Sequence, residues 1–252
     1  MVDHSKNTVY LITGANRGIG LALVSRLSTR PSTTVIATTR AFTTLSPFDS
    51  ITPTHPALPS PPSSTTPNPT SPLPLYPPSV FDTSEEDYRN DFEVNTLGPI
   101  RLFKAVWGFL EEGGRGKGGK FVVVGSSVGS IGGLATPEGE VEGGMLVCGS
   151  YGVSKAGVQW WVVKLRAELK VRYAQQGGGE EGEGKGQVVV GVVHPGWVKT
   201  DMGQGLADAV GFEAGPPLSV DESAQGVIEQ IDKLTMENSG QFWRWDGGVL
   251  PW

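Results

Sequence analysis

Tyr151 and Lys155 stand four residues apart in the run Tyr151-Gly152-Val153-Ser154-Lys155, and on a helix that spacing sets them on one face, one above the other. A free phenol, with a pKa near ~10, is a poor proton carrier at neutral pH, whereas a neighbouring ammonium stabilises the phenolate and makes the phenol a better acid. Bringing that value to ~7 takes about 4 kcal/mol of differential stabilisation, at ~1.36 kcal/mol per unit. Tyr and Lys at this spacing also occur by chance on many helices. The strand-like stretch upstream, Val124-Gly125-Ser126-Ser127, gives the pair chemical content. It sets hydroxyls at the carboxyl end of a strand, where open α/β sheets bind ligands.

A second constellation lies near the start. Thr8 to Thr13 (TVYLIT) reads as a strand and runs into Gly14-Ala15-Asn16-Arg17-Gly18-Ile19-Gly20, a G-x-x-x-G-x-G turn that opens a helix. Glycines there let the backbone turn sharply and approach a pyrophosphate, while the helix amino terminus supplies partial positive charge and N–H groups. A plain strand-to-helix connection can also use glycine, but the position between strand and helix favours the phosphate site. The next strand ends at Arg40, where an acidic residue would hold the ribose 2′-hydroxyl of NAD. Arg40 and Arg17 instead offer two cations for a 2′-phosphate, which points to NADP(H).

The elements that must position these residues alternate. After the first strand come a helix over Ile19 to Arg30, stopped by Pro31, and a strand over Thr34 to Thr38. Ser84 with Glu85, Glu86 and Asp87 marks a helix start, since a capping hydroxyl and acidic residues suit the positive end of the helix dipole. That helix runs toward Leu110. Lys120 to Gly125 is a strand, Ser150 to Gln176 a long helix, Gln187 to Val193 a strand, Asp221 to Leu234 a helix and Gly240 to Trp245 a last strand. Alternating β and α with continuous apolar strands predicts a parallel sheet covered by helices on both faces.

Composition narrows the class. The chain has 252 residues with 38% hydrophobic and 18% charged, enough for a buried core, and 36 Gly with 19 Pro account for the modest apolar share. Twelve of the prolines fall between Pro47 and Pro78 in a Ser/Thr/Pro-rich tract that lacks the donors and periodicity for a sheet or helix. Two glycine-rich stretches, Glu111 to Gly119 and Gly177 to Gly186, read as surface loops. A formal charge of −6 with no long basic run disfavours nucleic acid. One Cys excludes an internal disulfide. No apolar run approaches the ~20 residues of a membrane span, and the opening residues lack a signal peptide's apolar core. The expectation is a cytoplasmic protein of one domain, 1–252, interrupted by an irregular insert at 47–78.

Five motifs together resemble the short-chain dehydrogenase/reductase family: TGANRGIG at 13–20, VNTLG at 94–98, GSS at 125–127, YGVSK at 151–155 and HPGWVKTDM at 194–202. The last of these, with the run Gly240 to Trp252, looks most like the branch of sniffer-like and C-factor-like carbonyl reductases, close to norsolorinic acid ketoreductase-like fungal proteins. The resemblance implies a Rossmann-type doubly wound parallel sheet and reduction of a carbonyl, an apolar or aromatic ketone, to an alcohol, or the reverse. It implies that Tyr151 protonates the carbonyl oxygen as hydride arrives, that Lys155 lowers its pKa and holds the nicotinamide ribose, and that Ser127, or secondly Ser126, bonds the substrate oxygen. Asn95 would support a water-linked relay to Lys155. Gly14, Asn16, Arg17, Gly18, Ile19, Gly20 and Arg40 would hold the adenosine and phosphate end of NADP(H), and Pro195, Gly196, Val198 and Thr200 the nicotinamide end. Dimers or tetramers through the long helices are implied as well. Hydride transfer leaves charge developing on oxygen, so fixed hydroxyl donors and a tuned acid are what the step requires.

The sequence departs from the pattern between Arg40 and Asn95, where the family places a third and a fourth strand ending in Asn-Asn-Ala-Gly. The proline-rich tract stands there instead. A catalytically silent NADP-binding or interaction protein is therefore the competing expectation. The segment Val128 to Ser150 reads equally as a mobile lid over the substrate or as a disordered loop, and Met202 to Leu218 as a substrate-binding lid. His4, His55 and His194 show no ligand spacing, so no metal is expected, and Cys148 is read as a small loop residue. Of Trp160 and Trp161, one should pack inward and the other lie at a subunit contact.

Overall fold

The computed structural model describes residues 8–39, 80–112, 118–135, 148–175 and 187–252. Residues 40–79, with Arg40 and the tract 47–78, lie outside them, as do 113–117 and 177–186 of the glycine-rich stretches and 136–147 of the first expected lid. The chain divides into two compact units, Met1–Leu75 and Tyr76–Trp252.

In the first unit, β1 (Thr8–Thr13) and β2 (Thr33–Thr38) are β-branched runs paired in parallel, Thr8 opposite Thr33 and Thr13 opposite Thr38. Between them runs α1 (Gly18–Ser28), which buries Leu23, Val24 and Leu27. Their i, i+1 and i+4 spacing makes one apolar stripe. This β-α-β unit is the arrangement the glycine turn requires.

The second unit opens with α2 (Glu85–Phe92), capped as the sequence predicts. The Asp87 amide donates to Ser84 Oγ at 3.2 Å and the Ser84 amide donates to Asp87 Oδ2 at 3.2 Å, satisfying two helix-terminal donors reciprocally. The chain then passes through a π-helical turn, Glu93–Leu97, into α3 (Gly98–Glu112). The cause is Pro99. It has no N–H for the Asn95 carbonyl four residues back, and its ring would strike that carbonyl in a regular helix. One unbroken helix was the sequence expectation, and Pro99 is the residue that corrects it. Next come β3 (Lys120–Val124), a single 3₁₀ turn at Ser127–Gly129, the short α4 (Ile131–Leu134), and α5 (Gly149–Gln175). The chain ends with β4 (Val189–His194), α6 (Asp201–Val210), α7 (Val220–Lys233) and β5 (Phe242–Arg244). The first part of the second expected lid is thus a helix, α6.

The three strands form a parallel sheet in the order β3-β4-β5. Val158 and Val162 of α5 are fully buried beside Val190, Val192 and Phe242 of the sheet, so α5 packs on the sheet whose strand β3 leads into the Ser-Ser motif. Trp161 turns inward, its ring 5.4 Å from that of Phe103, while Trp160 is 67% exposed. Among the described residues no helix is long and apolar enough to cross a membrane.

His194 closes β4 and is partly buried in the second unit. Burial, with Arg244 and Lys155 nearby, pushes its imidazole down to about 4, opposed by Asp246. A buried neutral histidine makes the unfolded chain bind the extra proton between roughly pH 6.5 and 4, so stability falls as pH drops through that window. On acidification from pH 7 to 5 the protein is expected to lose about 2 kcal/mol through this group. Thermal melts at the two pH values check this, and a His194→Leu variant that keeps the full acid sensitivity would refute it.

Candidate functional site

In the first unit the turn after β1 holds its glycines where only glycine is comfortable. Gly14 and Gly18 have φ of +64° and +52°, the left-handed region that costs other residues energy. Gly20 comes so close to the Gly14 carbonyl that a Cβ would collide with it. Ala15 is fully buried and its amide donates to Thr38 O of β2 at 3.1 Å, which fixes the turn to the second strand. Arg17 occupies the N-cap position of α1 with extended backbone, no side-chain cap bond forms there, and the first turn of α1 carries no acidic residue. The leading amides of a helix have no partner within it. The turn therefore presents donors and a positive dipole end, with no carboxylate in the helix's own first turn, a cradle for a phosphate group. A Cβ on Gly14 would meet nothing within 4 Å among the described residues. Asn16 and Arg17 are exposed beside it.

In the second unit the remaining candidates gather around the first turns of α5. Lys155 is 9% exposed, its Nζ donates to the Val124 carbonyl at 2.8 Å, and it lies 5.4 Å from the centre of the Tyr151 ring. Burial pushes the ammonium down to about 8, and the Asp91 carboxylate acts in the opposite direction. The Tyr151 phenol is pushed up to about 12, chiefly by burial, against a hydrogen bond with the Ser126 side chain that pulls it down; Cys148 and Asp91 add to the rise. The expected lowering of the phenol by Lys155 is therefore not what the structure gives, because burial outweighs it; at neutral pH the phenol keeps its proton, the form a general acid needs. The hydroxyl against the phenol is that of Ser126. Ser127 stands one residue on, in the 3₁₀ turn.

That loop is held by side chains at three consecutive amides. Ser126 N donates to Gln159 Oε1 at 3.0 Å, Ser127 N to His194 Nδ1 at 3.3 Å, and Val128 N to Ser126 Oγ at 3.3 Å. Gln159 lies two turns beyond Tyr151 on α5 and is 2% exposed. Gly129 completes the fit, since a Cβ there would run into the backbone of Lys155 and Ala156. Sequence reasoning missed Gln159 and read His194 as bland. The available signal for Gln159 was a polar residue on the apolar side of the long helix.

Asn95 lies in the π-helical turn and reaches α5 through Ser154, its Nδ2 donating to Ser154 Oγ at 3.0 Å, while Thr96 Oγ1 donates to the Ser154 carbonyl at 2.7 Å. Downstream of β4, the Pro195 carbonyl accepts from Ser223 Oγ at 2.7 Å and Gly196 has φ of +85°. Val198 forms an isolated bridge with Leu218, so the expected lid is pinned at its far end. Thr200 caps α6, Oγ1 accepting from Gly203 N at 3.1 Å. His194 links this stretch to the Ser127 amide. Cys148 is buried just ahead of α5, and burial pushes its thiol up to about 11, so it is no thiolate nucleophile. Arg40, the second cation expected at a 2′-phosphate, lies outside the described residues.

No family model matches the chain. It is 30% identical to the short chain dehydrogenase gsfK of Penicillium aethiopicum over 285 residues, covering 96% of this chain and 98% of that one. It is 29% identical to the norsolorinic acid ketoreductase nor1 of Dothistroma septosporum over 285 residues, 98% of this chain and 94% of the other. Among solved structures, the NADPH-bound carbonyl reductase from chicken fatty liver is similar with a TM-score of 0.64 at 21% identity, over 98% of this chain and 99% of that one. That likeness speaks for the fold, a Rossmann-type α/β arrangement. With parallel sheets, a glycine turn between strand and helix, and near full-length identity to a short chain dehydrogenase, this chain belongs to the short-chain dehydrogenase/reductase family of oxidoreductases.

Proposed function

We propose that the protein is an NADPH-dependent carbonyl reductase that converts an apolar or aromatic ketone to the alcohol, or runs the reverse reaction, with Tyr151 as general acid/base. The observation that carries this reading is the Tyr151 phenol beside the Ser126 hydroxyl, with the buried Lys155 ammonium 5.4 Å from the centre of its ring. The relative in Dothistroma septosporum is named a ketoreductase and the chicken protein a carbonyl reductase with NADPH bound; both names support the same chemistry here.

Bound NADPH supplies the hydride that reaches the carbonyl carbon. The chain's own residues supply the rest. The amides of Gly18, Ile19 and Gly20 and the Gly14–Asn16 backbone bind the pyrophosphate, and Arg17 with Arg40 pairs with the 2′-phosphate. Pro195, Gly196, Val198 and Thr200 orient the nicotinamide end. As negative charge grows on the substrate oxygen, Tyr151 passes its proton to that oxygen, with the seryl hydroxyl of Ser127 or Ser126 donating beside it. The phenolate left behind is stabilised by the Lys155 ammonium and recovers a proton from solvent. Asn95 supports that return path. Pro99 leaves the Asn95 carbonyl without the usual helical N–H, so it can accept from a water near Ser154. The apolar residues of 202–218 suit a hydrophobic substrate.

NADPH fluorescence titration, run beside NADH, is expected to show tighter NADPH binding, and failure to bind either cofactor would end the reading. With aromatic ketones and quinones as substrates, Tyr151→Phe should lose roughly a hundredfold or more in kcat while still binding NADPH; retained turnover removes Tyr151 from the mechanism. Binding without turnover in the native chain would instead establish the silent NADP-binding protein. Arg17→Ala and Arg40→Ala should each weaken NADPH binding about tenfold, the worth of one charge-assisted hydrogen bond, and leave NADH binding unchanged. Equal losses for both cofactors would contradict the 2′-phosphate role.

A further inference from the structure

Beyond the residues assigned above, a ladder of polar contacts runs between α5 and the segment that carries α2 and the π-helical turn. Ser150 and Ser154 are four apart on α5, and both are fully buried. Opposite them stand Asp91 and Asn95, also four apart. Ser150 Oγ donates to Asp91 Oδ2 at 2.6 Å, and Asn95 Nδ2 donates to Ser154 Oγ at 3.0 Å. Tyr151 and Lys155 each follow one rung by a single residue. A residue step on a helix is about 100° of rotation, so two rungs four residues apart fix the rotation of α5 and thereby the direction in which Tyr151 and Lys155 face.

We propose that Asp91 is a positioning residue of this site: with Ser150 it forms the outer rung that fixes the first turn of α5, and its carboxylate is the negative charge placed behind Tyr151 and Lys155. The proposal rests on the reductase reading above. Asp91 acts through its neighbours and touches no substrate. The groups that face it are Asp87 on its own helix, Ser150, Tyr151 and Lys155 on α5, and Cys148 just before that helix. Its own carboxyl is raised, chiefly by burial and further by Asp87, while Ser150 and Lys155 pull it down. The anion favours the protonated forms of both Lys155 and Tyr151. In the reducing direction those are the working forms.

Two variants separate the rung from the charge. Asp91→Asn keeps an oxygen for Ser150 Oγ–H and removes the charge, so the alkaline limb of the kcat profile for ketone reduction should move down by about one pH unit, with the KM for NADPH unchanged. The Lys155 Nζ resonance, followed by ¹⁵N NMR and assigned with Lys155→Arg, should titrate lower by the same amount without any turnover. Ser150→Ala keeps the charge and removes the rung; kcat should fall roughly tenfold or more from misplacement of the acid, again at constant KM for NADPH. A lysine titration and an alkaline limb that both stay in place in Asp91→Asn overturn the charge role, and wild-type kcat in Ser150→Ala overturns the rung. Native protein that reduces no carbonyl yet shows the NMR shift would sink the reductase reading and leave the placement of Asp91 standing.

Discussion

The site is organised by one hydrogen bond of a buried ammonium, from Lys155 Nζ to the Val124 carbonyl at 2.8 Å. An ammonium taken out of water is costly unless its donors are met, and this one is met by the last carbonyl of β3. The bond therefore ties the second turn of α5 to the strand end that leads into Ser126 and Ser127. Any rotation of α5 that moved Lys155 away would leave a buried donor unmatched. Tyr151, one turn earlier on the same face, is held over the seryl loop by the same constraint.

The loop itself meets the helix halfway. Three consecutive amides, at 126, 127 and 128, bond to Gln159, His194 and Ser126 Oγ, so the hydroxyls are set before any substrate arrives. Donors fixed in advance need no reorganisation as charge develops, which is the efficient way to stabilise an oxyanion. His194 can accept from Ser127 only through an unprotonated Nδ1. Its burial and the nearby Arg244 and Lys155 keep it neutral, so the same low-dielectric surroundings that hold the lysine also preserve the loop's second anchor.

Much of this was legible in the sequence, for identifiable reasons. The strands β1, β3 and β4 are dense β-branched runs, and α2 carries its capping box in Ser84 and Asp87, so local chemistry alone located them within a residue or two. The pairing of Tyr151 with Lys155 followed from helical spacing. What stayed hidden depends on contacts distant in sequence. Asp91 meets Ser150 across 59 positions, and Ser127 meets His194 across 67. No periodicity encodes such pairs. The π-helical turn is a different case, because Pro99 was visible and a proline four residues after Asn95 forbids the regular helix. α6 was missed because the run Met202 to Leu218, with its glycines and paired prolines, reads as loop; its N-cap, Thr200, and the left-handed Gly211 that ends it are the local signals that define it.

Burial orders the two titrations at the site. It favours the neutral form of each group, which raises the phenol to about 12 and lowers the ammonium to about 8, where their ordinary values are 10.0 and 10.5. As pH rises, Lys155 therefore loses its proton well before Tyr151 does. The phenol remains an acid across the physiological range, and what disappears first is the positive charge needed to stabilise the phenolate once its proton has gone. With Tyr151 as the acid, as proposed above, reduction would be bounded on the alkaline side by the lysine, and whatever keeps the lysine charged would widen the working range. Among the described groups that act on Lys155, Asp91 is the one that works in that direction. Burial sets the order of the two titrations, and the Asp91 carboxylate, across the contact between α2 and α5, offsets part of its effect on the lysine.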